Sequence, residues 1–141
     1  MDQHIVIQNI PSESQWEKVF HIVFNYCDSY KIIYPNGDFS NDNPLMTGRL
    51  DFEKLEGLTI EIFDGMEDSI ALAGKLTKEA RQLFKLFLSP SFEGDKPDLW
   101  WFKLYKKDVL IMTVEDFTVC LIEKATSLLT DNGVDITKLD N

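Results

Sequence analysis

Residues that carry chemistry are sparse in this chain of 141 amino acids, which has two histidines, two cysteines and seven glycines. The glycines are not grouped between a strand-like and a helix-like segment, so the phosphate-cradling loop of nucleotide-binding folds is not written here. No G-x-S-x-G elbow occurs, and with only His4 and His21 as imidazoles a serine or cysteine nucleophile has few bases to draw on. Cys27 and Cys120 fall inside apolar periodic segments without C-x-x-C spacing, which points to buried reduced thiols and away from a redox or zinc site. There is no apolar window of about 18 residues, so no membrane-spanning helix is expected. No charged and then apolar leader opens the chain, and the expected location is the cytoplasm.

Positive charge is also in short supply, with 14 basic against 24 acidic side chains and a formal net charge of -10. Such a field repels phosphate backbones, which argues against nucleic acid as a direct partner. The deficit is concentrated: between Asn36 and Asp68, Asp38, Asp42, Asp51, Glu53, Glu56, Glu61, Asp64, Glu67 and Asp68 face only Arg49 and Lys54. Two meanings stay open, a solvated surface that keeps the protein dispersed, or an acidic face that meets a basic partner. For the second, the candidate residues are Asp51, Glu53, Glu61, Asp64, Glu67 and Asp68. The oxygen-rich segment Asn36 to Asn43 lacks the spacing and terminal glutamate of a calcium loop. Glu67 with Asp68, and Glu115 with Asp116, read as solvated turn residues rather than an acid-base pair. No catalytic, metal or cofactor residue is therefore expected.

What the chain does have is apolar volume, 44% hydrophobic and 12% aromatic residues, enough for one domain with one core. Ile5 to Ile7 form a short β-branched run. Trp16, Val19, Phe20, Val23, Phe24 and Cys27 recur at helical spacing, which predicts a helix over 13–28 with Ser12 and Gln15 as a capping box. Lys31 to Tyr34 suits a strand ended by turn residues. Alternation from Leu45 to Glu53 predicts a half-buried strand with Met46, Gly48, Leu50 and Phe52 inward, followed by a hairpin of Leu58 to Ile62 with Ser69 to Ala73. Thr77 opens a second helix that Ser89 and Pro90 stop, and Pro90 to Asp98 reads as a loop. Leu99 to Tyr105 and Val109 to Val114 suit a hairpin through Lys106, Lys107 and Asp108. Residues 116–129 read as strand and then helix, capped by Asn132 and Gly133, with 131–141 as a lightly ordered tail. The order β-α-β-β-β-β-α-β-β-β-α predicts an α+β domain, a mostly antiparallel sheet covered on one face by two or three helices.

Trp100 and Trp101 are consecutive on a predicted strand, so one should point inward and the other outward. The exposed one of the two, or Phe63, would then serve as a partner anchor on the sheet, unless helices or the loop after Pro90 cover it. The segment Leu99 to Ile122, LWWFKLYKKDVLIMTVEDFTVCLI, followed by a short helix, resembles the sheet ending of small bacterial immunity proteins from contact-dependent inhibition and polymorphic toxin systems. The resemblance implies an acidic protein that blocks a cognate toxin by occlusion rather than catalysis, without a cofactor, and the acidic face adds that the toxin is basic, such as a nuclease. It carries over no interface residue, and it spans a minor part of the chain. A small ligand-binding domain or enzyme with a site of scattered residues, and a structural adaptor module, are the alternatives.

Overall fold

Strand β2 (Ser29–Pro35) is the axis of the structure, pairing with β4 (Ser69–Lys75) along its whole length and with β5 (Phe102–Lys106) along its first half. The computed structural model describes residues 4–36, 43–63, 68–87 and 99–139. Outward from that axis, β3 (Thr59–Ile62) joins β4 at one side. On the other side β6 (Val109–Glu115) joins β5, β7 (Val119–Ile122) joins β6, and β1 (Ile5–Ile7) joins β7. Among the described residues the sheet order is β1-β7-β6-β5-β2-β4-β3, antiparallel throughout.

Because directly opposed residues share a face, the pairing register sorts the side chains into two layers. Tyr30, Ile32 and Tyr34 line up with Leu104, Phe102, Leu72 and Ile70, and then with Met112, Val114, Cys120 and Ile122. This is the core face, and α1 (Trp16–Tyr26), α2 (Arg49–Phe52) and α3 (Lys78–Leu86) pack on it. Phe84 of α3 is the hub, its ring 5.6 Å from Phe24, 5.2 Å from Tyr30, 5.2 Å from Phe52 and 5.4 Å from Phe102. The helix α4 (Thr126–Asp131) packs beside α1 and buries Leu129. The architecture is therefore α+β, and among the described residues the helices gather on one side of the sheet, the other being called helix-free in that sense.

Local chemistry explains the ends of these elements. Thr77 accepts from the Ala80 amide as the N-cap of α3. Arg81 donates to the carbonyls of Leu76, Phe24 and Cys27, so one guanidinium closes the C-terminus of α1 and ties it to α3. At the end of α4 the amide of Gly133 (φ 84°) donates to Thr130 and that of Val134 to Leu129, a Schellman stop that needs a left-handed residue. The β5–β6 hairpin turns on Lys107 (φ 49°) and Asp108 (φ 67°). Two consecutive left-handed residues match the twist of the strands although neither is glycine.

Three sequence expectations fail. Residues 45–53 are not a strand: Asn43 caps a 3-10 turn Pro44–Met46 through the Leu45 amide, and Gly48 (φ 82°) redirects the chain into α2. A Cβ at Gly48 would stand 2.9 Å from Leu99, so the turn is closed to larger residues. Met46 and Phe52 are buried as expected, but Leu50 is exposed, because a helical turn sends it away from the sheet. The expected capping box of α1 is not made: Ser12 lies in the 3-10 turn Ile10–Ser12 and donates back to Asn9, while Glu13 accepts from the Gln15 amide. Nor are residues 131–139 a loose tail, since Val134 and Leu139 are buried around a 3-10 turn Ile136–Lys138 and Gln15 bonds the backbone of Asp135. The expected turns and loops over 37–42, 64–67 and 88–98, with Ser89 and Pro90, lie outside the described residues.

Candidate functional site

The groups most able to react are placed where they cannot cooperate. His4 stands 3.9 Å from Glu123 at the start of β1, and His21 stands 3.9 Å from Glu17 on α1. Cys27 and Cys120 are both buried and unbridged. Burial, with a smaller push from Asp28, raises the Cys27 thiol to about 12, and burial alone raises Cys120 further. A thiol so protonated is a poor nucleophile. Among the described residues no group of three His, Cys, Asp or Glu is placed to hold a metal ion, and no helix is long and apolar enough to cross a membrane.

The six candidate carboxylates do not share one surface. Asp51 lies on α2 and Glu53 directly follows it, both exposed on the helix side of the sheet. Glu53 accepts from Arg49 at 2.8 Å. Glu61 is in register with Ala71 and Ile33, which puts it on the opposite, helix-free face, where it sits 3.1 Å from Lys31. Asp68 is exposed in a left-handed turn just before β4. Asp64 and Glu67 lie outside the described residues. Strand alternation divides the acid-rich sequence between two faces.

What the structure adds is an edge. The Phe63 amide donates to the Ser69 carbonyl at 2.9 Å, so by antiparallel alternation residues 59, 61 and 63 bond to β4. The peptide groups of Ile60 and Ile62 therefore point away from the sheet, toward the side of β3 that has no partner among the described residues. Their side chains are in register with Leu72 and Ile70 on the core face, yet they are 57% and 85% exposed because the helix layer ends before reaching them. Leu50 of α2 is exposed as well. Ile62 opposes Ile70, Ile70 opposes Tyr34, and the Tyr34 hydroxyl donates at 2.8 Å to Thr47, one residue before the turn into α2. The register thus leads from the exposed isoleucines of β3 through Ile70 and Tyr34 to α2, whose Arg49 lies 6.0 Å from the Tyr34 ring and which carries Asp51, with Glu53 directly after it.

The helix-free face carries an aromatic and lysine layer. Phe63 and Trp101 meet edge to face at 5.0 Å, with the Lys103 ammonium 5.3 Å and 5.9 Å from their ring centres. Trp100 and Trp101 do not divide between the two faces as expected. They precede β5, which begins at Phe102, and their rings touch at 5.8 Å. Trp101 is half-buried, and its indole N–H is buried with no hydrogen-bond partner among the described residues. Nearby, Lys31, Glu61, Tyr105, Thr59 and Lys75 line a shallow groove of about 430 Å³. Its charges are internally matched, with Lys31 bonded to Glu61 and lying over the Tyr105 ring.

Charge counting singles out Asp51 and Glu53 and says nothing of Ile60 and Ile62. Ile60 and Ile62 alternate with Thr59, Glu61 and Phe63, and nothing in their own sequence marks β3 as the outermost described strand. No family model, no curated protein and no solved structure matches the chain.

Proposed function

We propose that this protein is an immunity-type inhibitor that binds and neutralises a basic, nuclease-like toxin domain through the β3 edge and α2. The observation that carries this reading is the pair Ile60 and Ile62, exposed side chains on a strand whose outward peptide groups have no partner among the described residues. An edge of this kind accepts a strand from another protein, main-chain bonds giving affinity and alternate side chains giving register. Burying aliphatic anchors at the centre of an interface supplies binding energy, and the exposed carboxylates of Asp51 and Glu53 favour a cationic partner and accelerate encounter. The surplus of acid over base extends that attraction beyond the contact.

The test is a titration against the protein encoded beside this one, at low and high salt. Ile62→Asp should abolish tight binding by putting an unpaired charge in the apolar centre. Asp51→Asn with Glu53→Gln should slow association and flatten its salt dependence while leaving dissociation nearly unchanged. Binding that ignores both changes would refute this assignment.

A further inference from the structure

Away from β3, where the β5–β6 turn meets the C-terminus of α1 and the joint between β7 and α4, lies a second feature that the inhibitor role does not use. Tyr26, Lys106, Lys107, Val109, Ile111 and Lys124 enclose a groove of about 270 Å³. We propose that this groove is a binding site for a phosphate monoester carried on an apolar or aromatic group.

Three lysines line it in a protein whose formal charge is -10, and among the described residues no carboxylate does. Among the described residues none of the three lysines has an ion-pair partner. One neighbouring acid stands at the edge of the groove, and two others are engaged away from it. Asp28 accepts the backbone amide of Lys107 at 3.1 Å, Glu123 stands 3.9 Å from His4, and Asp108 lines the groove on the helix-free face beside Lys31. Unpaired like charges at close range repel one another, and an anion bound between them removes that repulsion. Lysines on separate elements offer several donors to the oxygens of a single phosphate.

The backbone holds two of these lysines in place. Lys107 (φ 49°) sits in the β5–β6 turn and Lys124 (φ 56°) in the joint between β7 and α4, both left-handed, a conformation that costs a lysine free energy. That joint is fastened to β6 by the Glu123 amide, which donates to the Ile111 carbonyl at 2.7 Å. The third, Lys106, lies 5.1 Å above the Tyr26 ring.

The floor between the cations is apolar. Tyr26 and Val109 are 40% and 41% exposed, among the few large hydrophobic side chains the fold leaves open. A bare phosphate would leave that surface wet, whereas the organic group of a monoester would cover it.

The experiment is an amide NMR titration of the whole protein with phenyl phosphate and, separately, with inorganic phosphate, at constant ionic strength. Saturable shifts confined to Tyr26, the 106–111 hairpin and Lys124, with phenyl phosphate binding more tightly than inorganic phosphate, are the expected result. Lys107→Gln with Lys124→Gln should weaken phenyl phosphate by about ten-fold or more, while Lys54→Gln with Lys78→Gln, at exposed lysines elsewhere, should leave it unchanged. Shifts that never saturate, that spread over every exposed lysine, or that survive the paired change at Lys107 and Lys124 would overturn the site. Equal affinity for the two phosphates would overturn the monoester assignment.

Discussion

Glu61 lies 3.1 Å from Lys31, across β4 on the helix-free face, and so a carboxylate from the most acidic stretch of the sequence is already matched by a cation of its own chain. The pair is about two-fifths exposed on each side, 38% and 43%, so water and salt screen it. Glu61→Gln should cost less than about 1 kcal/mol of stability in a urea titration. It should also leave the salt dependence of partner association intact, in contrast to neutralising Asp51 and Glu53.

Arg81 joins three backbone carbonyls with one guanidinium, at 3.0 Å to Leu76, 2.7 Å to Phe24 and 2.9 Å to Cys27. Arg81→Met removes all three charged donors and leaves the end of α1 uncapped, a loss of about 3 kcal/mol or more. Arg81→Lys should recover only part of it, because an ammonium lacks the planar fork that spans three acceptors. Denaturant midpoints of the two variants decide the point.

Phe84→Ala removes the ring around which Phe24, Tyr30, Phe52 and Phe102 assemble. The side chain is fully buried, and the loss should be about 3–5 kcal/mol, enough to bring thermal unfolding close to working temperature.

That hub shows how much of the structure was legible beforehand. The apolar spacings of α1 and α3, the hairpin of β5 and β6, and the change from strand to helix after residue 116 follow from periodicity, because each element buries the face its sequence marks. Residues 45–53 were misread because Met46 and Phe52 satisfy both a strand and a pair of short helical turns, and only the tertiary contact at Gly48 and Leu99 chooses between them. The exposed edge was invisible for a related reason. Whether Ile60 meets a helix or water depends on where the helix layer stops, which no local pattern encodes. Charge, by contrast, is fully present in the sequence, but its division between two faces requires the register of β3 on β4.

Alkali should unfold the protein in a way that reports its buried acids. Burial raises Cys27 from 9.0 to about 12 and Tyr30 from 10.0 to about 12, and it pushes Tyr34 and Cys120 further up. The fold therefore keeps these groups protonated after the unfolded chain has released its protons. Their contribution is fully present below about pH 9 and is lost as pH rises toward 12. Cys27→Ala should flatten the decline in urea midpoint across that window, and neither thiol should react with a disulfide reagent at about pH 8 without denaturant.

Hydrogen exchange of the β3 amides tests the central claim most directly. In the free protein the amides of Ile60 and Ile62 should exchange rapidly while those of Glu61 and Phe63 are protected. Adding the basic partner should then protect Ile60 and Ile62. A complex that forms while both isoleucine amides stay fast, or a free protein in which they are already slow, would contradict the account.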